Sequence, residues 1–265
     1  MNATPYRCTP TYWDSEADRE VGEHGFLMKR GVPERYTQRS CVSAAMLGLG
    51  HITPRPQHIK ILKTDLWTEG VVRSREVLDA TIARIRARRI KVSGYGIDIA
   101  PLTCEMASEC MRSNVAVADI RKLPFKDSSF DMVLDISTID HVPLDDALGV
   151  IGQYRRVLRT GGVLIAMFAH EGGIMWRATG NGYYNFPIKA IREKLNFPCG
   201  FRVKGEYGVH ALNVKPMAYP MSAAIRLKMG GPFSRVWGLI EYSRLSRYMK
   251  GMVPMYCIIA RRGYG

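Results

Sequence analysis

The sequence predicts an α/β fold built on a mostly parallel sheet, and three observations predict it. Short apolar runs alternate with helical patterns from about residue 58 to residue 170. One run, Asp131 to Ile136 (DMVLDI), is apolar almost throughout, as in a strand covered on both faces. Acids or a glycine pair stand at the strand boundaries, at Asp65, Asp98, Asp119 and Gly161-Gly162. Strands that alternate with helices imply parallel neighbours joined by right-handed crossovers.

Residues 1–57 read as an N-terminal helical extension or cap. Within them Trp13 to Glu23 and Pro33 to Leu49 have helical spacing, the second ending at Gly48-Leu-Gly50. Pro54-Arg-Pro56 breaks the chain before the pattern changes. Residues 58–265 form the main domain. His58 to Lys63 is its first strand and Ser74 to Arg89 the helix that follows. Val92 to Ile99 is the second strand, and Pro101 opens a helix to about Arg112, proline being tolerated in a first turn. Val115 to Ala118 is the third strand and Asp131 to Ile136 the fourth. Pro143 to Leu158 is amphipathic with a helical period, and Gly161-Gly162 turns the chain into Val163 to Phe168, the fifth. Beyond His170 the regularity weakens, and a lid insertion is placed at about 172–252. It carries a helix at Pro187 to Leu195, and aromatics such as Tyr183, Tyr219 and Trp237 interspersed with Arg226 and Arg244. Phe201 to Tyr207 and Met255 to Arg261 read as two late strands.

With 265 residues the chain is long enough for one sizeable core. Its 46% hydrophobic and 23% charged residues are ordinary for a globular domain. No apolar run approaches the roughly 20 residues that a bilayer span needs. The polar, acidic start argues against a secretory leader, so a cytoplasmic protein is expected. Six cysteines are scattered without a C-x-x-C pair, so no structural metal is expected. The formal charge of +14 favours an anionic partner. A small-molecule or carrier-protein-bound anionic substrate, an acidic protein and a homodimer all fit. Nucleic acid is the minority reading, because the dense run Arg84-Ile-Arg86-Ala-Arg88-Arg89-Ile-Lys91 has the pattern of a wet helix face and end. Cations at a helix C-terminus are favoured by its dipole without any ligand.

A parallel α/β sheet binds its ligand beyond the carboxyl ends of its strands, at the switch in strand order. Asp65, Asp98 and Asp119 follow the first three strands there. An acid ending strand two can accept both hydroxyls of a ribose. One ending strand three can accept an adenine amino group while Ile120 packs on the ring. Strand-end acids can instead cap the next helix. For Asp98 the ligand role is put first; for Asp119 spacing leaves both open.

These residues carry a resemblance. Gly96-Ile-Asp98-Ile99 is similar to the strand-two motif of class I S-adenosylmethionine (SAM) methyltransferases. Ala118-Asp119, Leu123-Pro124-Phe125 and Ser129-Phe130-Asp131 are similar to that family's adenine-binding turn and strand-four entry. Arg156-Val-Leu158-Arg159-Thr-Gly161-Gly162 resembles its turn into strand five. The match spans roughly residues 58–170. It implies a Rossmann-like sheet of seven strands, the last antiparallel, with SAM or S-adenosylhomocysteine in the cleft. Thr64, Asp65, Asp98, Ile99, Asp119, Ile120 and Ser137 are the cofactor-binding residues the resemblance points to.

One motif departs from the family. Where an acid and a glycine-rich loop are expected after strand one, the chain reads Lys63-Thr-Asp65-Leu-Trp67-Thr-Glu69-Gly70. Glycine matters there because only a residue without Cβ lets a ligand lie against the backbone. Either Asp65 or Glu69 holds the SAM ammonium from a reshaped loop, or the site has lost SAM. After strand four, Ser137-Thr-Ile-Asp140-His141 is the candidate catalytic turn. His141 titrates near working pH and can act as a base oriented by Asp140 or Asp135; His170 is a second candidate. Each histidine can as readily pack on its neighbours. The expected function is methyl transfer to oxygen or nitrogen of a small-molecule or carrier-bound metabolite. Its rivals are a catalyst or subunit of the same fold that does not transfer methyl groups, and RNA methylation.

Overall fold

The computed structural model describes residues 9–24, 32–72, 76–171, 184–196, 199–209, 230–243, 246 and 255–264. Two helices come first, α1 (Pro10–His24) and α2 (Val32–Leu49). The expected alternation then unfolds as β1 (His58–Lys63), a four-residue helix α3 (Trp67–Gly70), α4 (Val77–Arg86), β2 (Lys91–Asp98), α5 (Pro101–Cys110), β3 (Asn114–Val117), β4 (Phe130–Ile136), α6 (Leu144–Val157) and β5 (Leu158–Ala169). The later part supplies α7 (Ile188–Asn196), β6 (Phe201–Val209), α8 (Gly230–Glu241) and β7 (Met255–Arg262).

The seven strands lie in the order β3-β2-β1-β4-β5-β7-β6, and β7 runs antiparallel to both of its neighbours. β1 is parallel to β2 on one side and to β4 on the other. The chain therefore builds outward from β1 to β3 and then restarts at β4 beyond β1, which puts the switch point between β1 and β4. β4 is buried along its whole length, as its apolar run requires.

Each face of the sheet has its own core. On one, Val150, Ile151, Tyr154 and Val157 of α6 and Ile191 and Leu195 of α7 pack with Leu62, Val133 and Leu164. On the other, Cys41, Ala44, Ala45 and Leu49 of α2 and Leu78, Ile82 and Ile85 of α4 pack with Ile59, Ile61, Met132 and Ile165. α2 thus lays its small-residue face directly on the sheet. Buried Glu241 of α8 accepts hydrogen bonds from Tyr36 Oη and, at 2.9 Å, from Ser40 Oγ of α2.

Several element boundaries differ from the sequence reading, and two of them bear on the argument. β5 begins at Leu158 rather than Val163. A register shift between Phe130 and Met132 takes the Gly161-Gly162 turn into the strand. Gly161 has φ 76°, and a Cβ there would lie 1.6 Å from the Thr53 carbonyl oxygen, so no other residue fits. α4 stops at Arg86 rather than Arg89, leaving Arg88 and Arg89 beyond its end. Among the described residues no helix is long and apolar enough to cross a membrane.

Candidate functional site at the carboxyl ends of the strands

Lys63 ends β1, in register with Gly96 of β2 and Leu134 of β4, and its side chain is fully buried. Its ammonium donates to the Asp65 carbonyl oxygen, to Asp65 Oδ2 at 2.9 Å and to Glu69 Oε2 at 3.0 Å. The other Glu69 oxygen, Oε1, accepts the backbone N–H of Val77 at 3.0 Å and of Leu78 at 3.3 Å, where α4 begins. Lys63 and Glu69 together tie β1 to α3 and α4. Burial alone would lower the pKa of the ammonium; the Asp65 and Glu69 charges outweigh it and hold Lys63 protonated, its pKa raised. In place of a glycine loop stands α3, which presses Gly70 onto α5. A Cβ at Gly70 would lie 2.6 Å from the Thr103 carbonyl oxygen.

Asp98 ends β2 and braces this same turn. Its Oδ2 accepts Leu66 N–H at 2.9 Å and its Oδ1 accepts Ala100 N–H at 3.0 Å. Burial, reinforced by the charge of Asp65, pushes its carboxyl up to about 7. Each oxygen retains a lone pair, so Asp98 can hold the loop and still accept from a ligand hydroxyl. Ile99 follows it, partly buried. Asp119, beyond β3, caps the next turn by accepting Arg121 N–H at 2.8 Å and forms an ion pair with Arg121 at 2.7 Å. Ile120 beside it is largely buried in the core.

The turn after β4 is held by two buried carboxylates. Asp135 accepts N–H of Thr138 at 3.0 Å and of Ile139 at 3.2 Å, and the Tyr154 hydroxyl at 2.6 Å. Burial pushes its carboxyl up to about 6 against those donors. Asp140 Oδ2 accepts Ala169 N–H at 2.7 Å and Ser137 Oγ at 3.4 Å, linking the turn to the end of β5. Its other oxygen is buried without a hydrogen-bond partner, and burial pushes the carboxyl up to about 7. Ser137 sits at φ 62°, a left-handed conformation that costs a non-glycine residue roughly 1–2 kcal/mol. Thr64 Oγ1 lies 3.0 Å from Thr138 Oγ1 and so joins the β1 and β4 loops.

An aromatic cover lies over this end, and the sequence reading had not assigned it. Trp13 of α1 meets His141 edge to face with ring centroids 4.8 Å apart, and Trp67 of α3 at 5.7 Å. Asp14 anchors α1 there by accepting the Leu102 N–H at 2.9 Å. The available signal was an aromatic pair, Tyr12-Trp13, in an otherwise polar extension. His141, the last residue of the candidate turn, therefore lies against α1. His170 follows Ala169 at the end of β5; it is 1% exposed, its Nδ1 2.9 Å from the Glu171 carbonyl oxygen and its ring 5.7 Å from Tyr256. Tyr183, Tyr219, Arg226 and Arg244 lie outside the described residues, and Trp237 is on α8.

Asp65 and Glu69 thus pair with one ammonium, and Asp98 lies near enough to feel its charge, so acids outnumber the cation at this end of β1. Asp98 retains acceptor capacity that suits the hydroxyls of the adenosine half of SAM, while both Asp119 oxygens already accept from Arg121. The methionine half is reshaped, because Lys63 already engages both carboxylates of the first loop.

Residues 79–166 match the family described as a methyltransferase domain. Among curated proteins no sequence matches significantly. Solved structures do. A chain of the complex between the Haloferax volcanii Trm112 methyltransferase activator and a methyltransferase superposes with a TM-score of 0.57 at 15% identity, over 97% of this chain and 98% of that one. A Galdieria sulphuraria protein assigned as a sarcosine dimethylglycine methyltransferase gives 0.55 at 18% identity, over 96% and 100%. The [4+2]-cyclase SpnF gives 0.52 at 17%, over 84% and 81%. At these identities the likeness is one of fold.

Proposed function

We propose that the chain is a member of the class I SAM-dependent methyltransferase superfamily and that it transfers a methyl group from SAM to oxygen or nitrogen of a small-molecule or carrier-bound acceptor. The observation that carries this reading is the pair of acids at the carboxyl ends of neighbouring strands, Asp98 ending β2 and Asp119 following β3, with Ile120 next to Asp119. SAM, when bound, supplies a methyl group activated by a sulfonium. The residues of the chain supply the rest. Asp98 accepts the ribose hydroxyls, Asp119 the adenine amino group, and the surrounding carboxylates favour the cofactor's positive charge. Ser137 and Thr64 shape the wall between β1 and β4. His141, facing Trp13, takes a proton from an acceptor hydroxyl or amine. Trp13 and Trp67 keep water from that face. In-line positioning can supply much of the rate of such a transfer.

Isothermal titration with SAM and S-adenosylhomocysteine tests this. Both are expected to bind the wild type, and Asp98→Ala to weaken binding at least tenfold with its circular dichroism unchanged. No heat from either ligand would remove the proposal.

One observation favours a second reading. Lys63 occupies the carboxylates that an amino-acid ammonium would seek, as expected of a chain of this fold that uses its cleft without methyl transfer. The cyclase among the similar structures has this fold too. The same titration separates the two, since the second reading predicts no cofactor binding.

A further inference from the structure

At the opposite end of the sheet, in the last turn of α4 and just past it, five cations fall within eight residues: Arg84, Arg86, Arg88, Arg89 and Lys91. All five are exposed, and among the described residues none has an ion-pair partner. Arg86, Arg89 and Lys91, with His58 and Ser93, line an open depression of about 440 Å³. His58 Nε2 lies 2.8 Å from Ser93 Oγ, and Ile90 and Val92 complete the lining. The α4 dipole, worth about half a charge, favours cations here but cannot neutralise five of them. Arg89, three residues past the end of α4, also takes φ 61°, a left-handed conformation that favours glycine. The chain thus keeps an arginine in a conformation costing roughly 1–2 kcal/mol, at the rim of the depression.

We propose that this basic end of α4 and β2 binds the phosphodiester backbone of a nucleic acid, independently of sequence. Four of the five cations are guanidinium forks, which match phosphate oxygens in pairs. Arg84 and Arg88 lie one turn apart and outside the depression, so the patch is too broad for one small phosphate and suits successive ones. It carries no exposed large apolar side chain, which a membrane-inserting surface would need. This face lies roughly 20 Å from the carboxyl ends of β1 and β2, as six strand residues at about 3.3 Å each require, so it docks rather than reacts. The proposal stands whether or not the cleft binds SAM.

Fluorescence anisotropy of the full chain with a labelled 20-nucleotide single-stranded RNA and a DNA duplex of equal length, between 50 and 300 mM KCl, tests it. A preference between the two identifies which backbone is used. We expect binding to at least one, weakening steeply with salt. Reversing three charges (Arg86→Glu, Arg89→Glu, Lys91→Glu) should cut affinity more than tenfold and reduce the log–log salt slope by about 2. A control with the same change in net charge elsewhere (Lys122→Glu, Lys126→Glu, Lys189→Glu) should stay within twofold of wild type. Loss of binding in both triples alike would show that only net charge matters and overturn the site. So would absence of wild-type binding at 50 mM KCl. Equal affinity for poly-glutamate of the same charge would overturn the choice of nucleic acid in favour of an acidic protein.

Discussion

Removing the Lys63 ammonium while Glu69 and Asp65 stay in place leaves two carboxylates facing each other, one of them fully buried. Lys63→Met is therefore expected to lose about 3–5 kcal/mol of stability, the cost of an uncompensated buried charge. Adding Glu69→Gln should recover part of that, and urea unfolding of both variants reads the difference. A loss under about 1 kcal/mol in the single variant would show that the pair does not brace the turn. A pH effect belongs to the same scale. Burial holds the Asp140 carboxyl at about 7 in the folded chain. Its pKa when unfolded is about 4, so the folded form binds the proton more tightly. The stability this lends is fully present below about pH 4 and is lost as pH rises through about 7. Thermal unfolding of wild type and Asp140→Asn should accordingly converge or cross between pH 4 and 7 in the sense of a declining wild-type advantage. Curves that stay parallel would contradict it. The acids themselves were legible in the sequence as strand endings. Their partners were not: that Lys63 meets Glu69 depends on a short helix, α3, which nothing in Trp67-Thr-Glu-Gly70 announces by period.

Among the elements, the strands of the first half were read nearly to the residue, because each is an apolar run between an acid or glycine and a helical pattern. The errors are instructive. Gly161 was read as a turn, yet its close approach to Thr53 lies inside β5, since a register shift leaves no period-2 mark in sequence. α1 was recognised as helical, but its role as a cover was not, because Trp13 reaches Trp67 and His141 across more than fifty residues of chain. That contact makes α1 a wall of the proposed cofactor site. Trp13→Ala is expected to lower affinity for S-adenosylhomocysteine about fivefold, the loss of an aromatic contact worth roughly 1 kcal/mol, with little change in unfolding midpoint. Calorimetric titration measures it. An affinity that rises instead would mean that Trp13 fills the cleft rather than walling it.

For the molecule as a whole, topology and charge divide the surface into two ends. The carboxyl ends of the strands gather acids around Lys63, and the amino ends carry the unpaired cations of the α4 terminus. The alternation of elements made the sheet and its switch point legible, and the acids made the adenosine side of the cleft legible. The methionine side was visible only as a departure from the family pattern, because Lys63 builds its turn through contacts that are non-local in α3 and α4. A crystal of the chain soaked with S-adenosylhomocysteine measures this directly. The account predicts ribose hydroxyls within hydrogen-bond reach of Asp98, adenine between Asp119 and Ile120, and Lys63 still paired with Glu69 beneath the homocysteine. Density for the ligand elsewhere, or none at saturating concentration, would contradict it.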